Sequence, residues 1–188
     1  MAELPETRGY GRMSRRLHWI VAAAVVPMIL AGLVMTTEGL PRALGNALFL
    51  FHKNLGVILV PVILLRLVWR LTHPAPPLPD PMPRWQRIAA RLSHGALYAL
   101  LVILPVSGFV RVRAGGFPIE LLDALGAGPW LAKSETLANA AQALHHRAGI
   151  LLILVVAIHV AAAAHHALIR RDGVWQRMWP PGGPGRAV

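Results

Sequence analysis

The sequence contains no cysteine. That excludes structural disulfides, cysteine-ligated iron–sulfur clusters and a covalently attached c-type haem, which needs C-x-x-C-H. Charge is also scarce. Only 14% of the 188 residues are Asp, Glu, Lys or Arg, against ~25% in ordinary soluble domains. Acidic residues are the scarcest charge, eight against nineteen Lys and Arg, which leaves a net charge of +11. A basic excess of this size can mark a nucleic-acid binder. Here the cations fall between apolar runs and build no soluble basic face, so no nucleic-acid partner is expected. The basic lead before the first apolar run imitates a signal peptide, but no clear small-x-small cleavage site follows it.

What the chain has in abundance is apolar sequence. It is 55% hydrophobic, with a mean hydropathy of +0.52. Four long apolar runs predict an all-α integral membrane four-helix bundle, a single domain over 1–188. The spans are expected at about 17–36, 47–71, 88–110 and 144–169. Between the second and third lies THPAPPLPDPMPRW from Thr72 to Trp85, whose six prolines preclude a helix and predict a stiff, extended connector. From Arg111 to Ala140 there is no long apolar run, and one or two short interfacial helices are expected. Pro27, Pro61 and Pro105 fall inside the first three spans, where a proline can kink a helix.

Lys and Arg set the orientation. The lead, the second connection with its adjoining helix ends, and the tail hold thirteen of the nineteen; the other two connections hold six. Both termini of this multi-pass chain are therefore expected in the cytoplasm. Trp19, Trp69, Trp85, Trp175 and Trp179 fall on that same side, as an interfacial aromatic belt would.

Histidine is the chemistry-bearing residue. His145 and His159 stand fourteen residues apart in the last span, only about 40° short of four full turns. Both therefore lie on one helix face, ~21 Å apart along the axis. Polar residues inside a membrane are usually functional, and two imidazoles on one stripe can hold two haems, one above the other. The alternating span directions then pair the histidines by depth. His52 can face His145 near the outer side, and His159 can face either His18 or His94 near the inner side. Gly56 and Gly149 each lie four residues after a histidine, on its face, where they would give a flat macrocycle room; close helix packing would use glycine in the same way. His146 points about 100° from His145. His94, beside Ser93 and Gly95, is a candidate to hydrogen-bond a haem propionate or another helix. A histidine-lined metal transporter is the reading from a different functional class.

The segments RLHWIV from Arg16, FHKNLG from Phe51, VWRLTHPAPPLP from Val68, RLSHGALYALLVILPVSGF from Arg91 and LHHRAGILLILVVAIHVAAAAHHALI from Leu144 come in an order and spacing that resembles bacterial cytochrome b561. The resemblance covers nearly the whole chain except its tails and the last connection. It implies two haem b groups, with His18 and His159 as axial ligands inside and His52 and His145 outside, leaving His94 as a close non-ligand. The family usually has an acidic residue after the first histidine of the last span. Here that residue is His146, which leaves His145 against His146 open.

The resemblance places the chain in the bacterial inner membrane, where such proteins exchange electrons with ubiquinone, and makes His166 and Arg170, at the inner end of the last span, candidates for a quinone site or for haem propionates. Some members resemble superoxide oxidases, which would make this chain a superoxide:ubiquinone oxidoreductase. Related cytochromes are anchor subunits that serve a redox partner protein, a hydrogenase or dehydrogenase. An outer cationic mouth of Lys53, Arg111, Arg113 and Arg147 would steer superoxide, diluted by Glu38, Glu120, Asp123 and Glu135.

Overall fold

The computed structural model describes residues 9–78 and 82–179. Four long helices carry the architecture: α1 Arg12–Val34, α2 Arg42–Thr72, α3 Arg84–Ala114 and α5 Glu135–His165, with a short α4 at Glu120–Ala124 between the last two. Among the described residues these four are long and apolar enough to cross a membrane. A 31-residue helix such as α2 is ~46 Å long, well beyond the ~30 Å hydrocarbon layer. The helices therefore outrun the apolar windows that announce them.

Local chemistry sets the ends. α2 and α3 each start directly after a proline, Pro41 and Pro83, whose fixed φ suits a helix entrance. Ser134 caps α5 by accepting a hydrogen bond from the Leu137 amide at 3.3 Å. α3 stops at Gly115, and Gly116 takes φ +79° to reverse the chain. Four expected boundaries move as a result. The proline-rich connector shrinks at both ends, because Thr72 belongs to α2 and Trp85 to α3; residues 79–81 lie outside the described set. The interfacial connection narrows to residues 115–134, since Arg111–Ala114 complete α3 and Glu135–Ala140 open α5.

Helix α3 packs mainly on α5, α1 on α2, and α2 joins the two pairs through α3. The mid-depth core is Leu100 of α3 against Ala148, Leu152 and Val155 of α5, with Val25 and Ile29 of α1 filling in. Outward faces carry Ile20, Leu30, Leu64, Val106, Ile150 and Ile158, all half exposed or more. Apolar patches of this extent suit lipid and not water. The protein is a multi-pass membrane bundle.

Both described chain ends meet at one end of the bundle, where the Tyr10 amide donates to the Arg177 carbonyl at 3.2 Å. The tail after α5 is folded there. Arg177 Nη2 donates to the Pro76 and Pro77 carbonyls at 2.6 and 2.9 Å, and Trp19 Nε1 to the Met178 carbonyl at 2.9 Å. Trp19, Trp175 and Trp179 form a ring cluster with centroids 5.3–6.3 Å apart. Part of the expected tryptophan belt is thus an internal clasp joining tail, connector and first span.

At the opposite end α4 is pinned across α2. Lys53 Nζ pairs with Glu120 at 2.6 Å and donates to the Pro118 carbonyl. Asn54 donates to Glu120 and accepts from the Leu121 amide. Arg113 pairs with Asp123, which also accepts from the Ile119 amide. The Arg113 hydrogen bond holds the Asp123 carboxyl below its usual range. Partial desolvation pushes Glu120 upward, but hydrogen bonds from Lys53 and Asn54 outweigh it and leave Glu120 low as well. A carboxylate depressed in the folded state stabilises above its unfolded pKa and loses that contribution as pH falls through the folded value. We therefore expect residues 115–134 to stay protected from amide exchange near neutrality and to open below pH ~4. Asp123→Asn should open them at neutral pH, and equal protection at both pH values would refute the pinning.

Candidate functional site: two histidine sets at opposite ends of the bundle

At the α4 end, His52 of α2 faces His145 of α5, ring centroids 6.1 Å apart and planes crossed at 77°. Their setting comes from the neighbouring helices. His145 Nδ1–H donates to the Leu104 carbonyl at 3.0 Å, with Ser107 Oγ at 3.2 Å. A carbonyl only accepts, so the proton sits on Nδ1 and the Nε2 lone pair is free. His52 Nδ1 is buried without a hydrogen bond among the described residues. Each ring also rests on a glycine. A Cβ on Gly108 would come 3.1 Å from His145 Cε1, and one on Gly32 would come 3.4 Å from His52 Cε1. The two seats share a bare backbone at the ring edge, and of the two rings His145 is the one with a carbonyl on Nδ1.

At the terminal end three histidines converge. His18 of α1 lies 6.2 Å from His159, with planes at 71°, and His94 of α3 lies 5.5 Å from His159 at 67°. Arg66 of α2 reaches in and donates from Nη2 to His18 Nδ1 at 3.1 Å. Between this set and the other lies the apolar layer of Ala148, Leu152 and Val155 on α5.

Two facing histidine pairs in a four-span bundle point to one membrane family, and the whole-chain comparison agrees: the description of prokaryotic cytochrome b561 matches residues 9–181. The chain belongs to the prokaryotic cytochrome b561 family. It is 32% identical over 170 residues to cytochrome b561 homolog 2 of Escherichia coli K12, covering 90% of each chain. It is 26% identical to cytochrome b561 homolog 1 of the same organism, over 87% of this chain and 93% of that one. It is 24% identical to a Yersinia pestis protein named probable superoxide oxidase, over 91% and 96%.

A cytochrome b561 implies haem b, and the residues fit it. Two metal–nitrogen bonds of ~2 Å plus half an imidazole ring on each side span ~6 Å, which the 6.1 and 6.2 Å pairs match. Haem brings four ring nitrogens of its own, so the protein need offer only two. A bare metal ion needs three or four protein ligands, and among the described residues no three His, Asp or Glu come together that could hold one. This speaks against the transporter reading.

His145, not the exposed His146, faces His52. A Cβ on Gly56 would meet Met28 Cε of α1 at 3.6 Å, whereas one on Gly149 would meet nothing within 4 Å. His166 begins a π-helical turn, His166–Arg170, that ends in Arg171 at φ +52°. This turn brings Asp172 back to 2.6 Å from His166 Nδ1 and 4.0 Å from Arg170. Of the expected cationic mouth, Lys53 and Arg113 are neutralised by Glu120 and Asp123. Arg111 stands over the Phe49 ring at 5.5 Å and lines two surface recesses of about 340 and 360 Å³. Sequence reading passed over Gly32, Gly108, Ser107, Arg66 and Asp172. A signal existed for the glycines, since each sits inside an apolar span at the depth of a histidine on another helix.

Proposed function

We propose that the chain is a two-haem membrane electron carrier of the inner membrane, with both termini cytoplasmic, passing electrons from superoxide at the outer face to ubiquinone. The observation that carries this reading is the pair of facing imidazoles at each end, both at the separation that one iron between them requires. His52 and His145 would hold the outer haem; His18 and His159 would hold the inner one. Bound haem supplies one-electron chemistry. The protein's own part is to fix the imidazoles, hold the His145 Nδ1 proton against the Leu104 carbonyl, and keep water out of the layer between the pairs. Two superoxide anions give up one electron each and leave as dioxygen. One ubiquinone takes the two electrons and two protons and leaves as ubiquinol.

Superoxide is small and anionic, and Arg111, unpaired with any carboxylate among the described residues, stands at the outer recesses to draw it in. The test is an absorption spectrum of the purified protein, oxidised and dithionite-reduced, with haem counted per chain, followed by superoxide reduction kinetics. A b-type band, two haems and fast reduction support the reading. Arg111→Gln should then slow reduction ~3–10-fold and weaken its salt dependence. Two haems with no reduction by superoxide would reject this donor and favour an anchor subunit that takes electrons from a partner protein. No haem would reject the cytochrome assignment altogether.

A further inference from the structure

Arg66 is a cation with no carboxylate partner among the described residues. It sits on α2 within reach of all three histidines at the terminal end, partly buried. Its partners among the described residues are neutral: His18 Nδ1 at 3.1 Å, the Ser14 carbonyl at 3.4 Å and the face of Tyr98 at 5.7 Å. Lys53 and Arg113, by contrast, are each matched by a carboxylate, Glu120 and Asp123. At the terminal end, Asp172 is taken by His166 and Arg170. A guanidinium drawn out of water toward neutral groups is disfavoured unless an anion meets it.

The hydrogen bond to His18 sharpens the point. Guanidinium nitrogens only donate, so His18 Nδ1 must accept with its lone pair, and the neutral ring carries its proton on Nε2. Neither nitrogen of such a ring can bind iron while this bond persists. Ligation through Nδ1 takes the same lone pair. Ligation through Nε2 moves the proton to Nδ1, where it opposes the Arg66 donor. A His18 that served as an axial ligand would not also accept from Arg66, and a haem held there would offer this guanidinium a carboxylate. A planar five-donor guanidinium matches a carboxylate with two parallel hydrogen bonds.

We propose that Arg66 is the receptor for a carboxylate of the inner haem. The inference rests on the two-haem reading, which the haem count of the unaltered protein tests first and separately. Arg66 would be a cofactor-binding residue that also raises the inner potential. Without it the nearby carboxylate is uncompensated and favours ferric iron.

The experiment is a redox titration of the full chain in lipid vesicles, for the unaltered protein, Arg66→Gln, Arg66→Lys and the exposed-site control Arg16→Gln. Haem is counted in each. For Arg66→Gln we expect two haems, an outer potential unchanged, and an inner haem whose reduced fraction at fixed potential falls ~10-fold, equivalent to ~59 mV. Arg66→Lys should retain most of the effect, and Arg16→Gln should change neither potential. If Arg66→Gln sheds the inner haem, recovery in Arg66→Lys supports the same conclusion. An unmoved inner potential with two haems overturns the proposal, as does haem loss in both variants. A shift seen only in vesicles containing phosphatidylglycerol, and absent in pure phosphatidylcholine, also overturns it by assigning the anion to a lipid phosphate.

Discussion

Replacing His145 with alanine should leave a folded membrane protein carrying one haem in place of two, and His146→Ala should leave both. The two residues are neighbours of identical chemistry, and only their direction differs. His145 points at His52 across 6.1 Å and is held by the Leu104 carbonyl and Ser107; His146 lies exposed on the outside of α5. An axial ligand whose tautomer is fixed by a backbone carbonyl is already poised to bind, so its loss removes both the bond and the preorganisation. The surviving haem should be the inner one, identified by its own potential, and His159→Ala should produce the mirror result. Haem content after size-exclusion chromatography checks this, because a monodisperse peak separates a missing cofactor from a missing fold. Retention of both haems in His145→Ala, with loss in His146→Ala, would reverse the ligand assignment and require α5 to rotate by about 100°.

The bundle was legible because lipid imposes a simple rule: about twenty apolar residues per crossing, with cations at the ends. The pairing of His52 with His145 was legible for a related reason. Helical periodicity fixes which residues share a face, and alternating direction fixes their depth. Depth alone could not choose between His18 and His94 as the partner of His159, and the structure brings both rings within 6.2 Å of it. Helix ends were less legible, since residues such as Arg84 and Arg111 continue a helix beyond the hydrocarbon without continuing its hydropathy. The ordered tail was hidden for another reason. Arg177 bonding to Pro76 and Pro77 is a contact a hundred residues long in sequence, and no local pattern announces it.

Arg66 shows the same limit in sharper form. Read along the chain it is one of several basic residues near a helix end, where a long side chain can reach the headgroups. Its placement beside His18 depends on how α1 and α2 pack, with Ser14 and Trp69 joined by a 3.1 Å hydrogen bond at the same crossing. A residue's role there follows from what stands on the next helix, which single-sequence periodicity does not contain.

The glycine seats make the second large prediction, because they set two effects against each other. Alanine in place of glycine inside a helix ordinarily favours the helix by ~1 kcal/mol. At Gly108 the added Cβ would also stand 3.1 Å from His145 Cε1 and 3.3 Å from Nδ1, so the ring has to give way by a few tenths of an ångström. That displacement falls on the imidazole whose Nδ1–H is aimed at Leu104, one turn back on the same helix. Gly108→Ala should therefore keep or raise resistance to thermal unfolding of the haem-free chain while lowering occupancy of the outer haem. Gly32→Ala, where the approach is 3.4 Å, should do the same more weakly, and Gly95→Ala, which would meet nothing within 4 Å, should leave occupancy untouched. A graded loss in the order Gly108, Gly32, Gly95, without matching loss of stability, would tie occupancy to the seat itself. An equal fall in stability and occupancy at Gly108 would instead mean that the glycine serves the packing of α3 on α5, and that the histidine merely lies nearby.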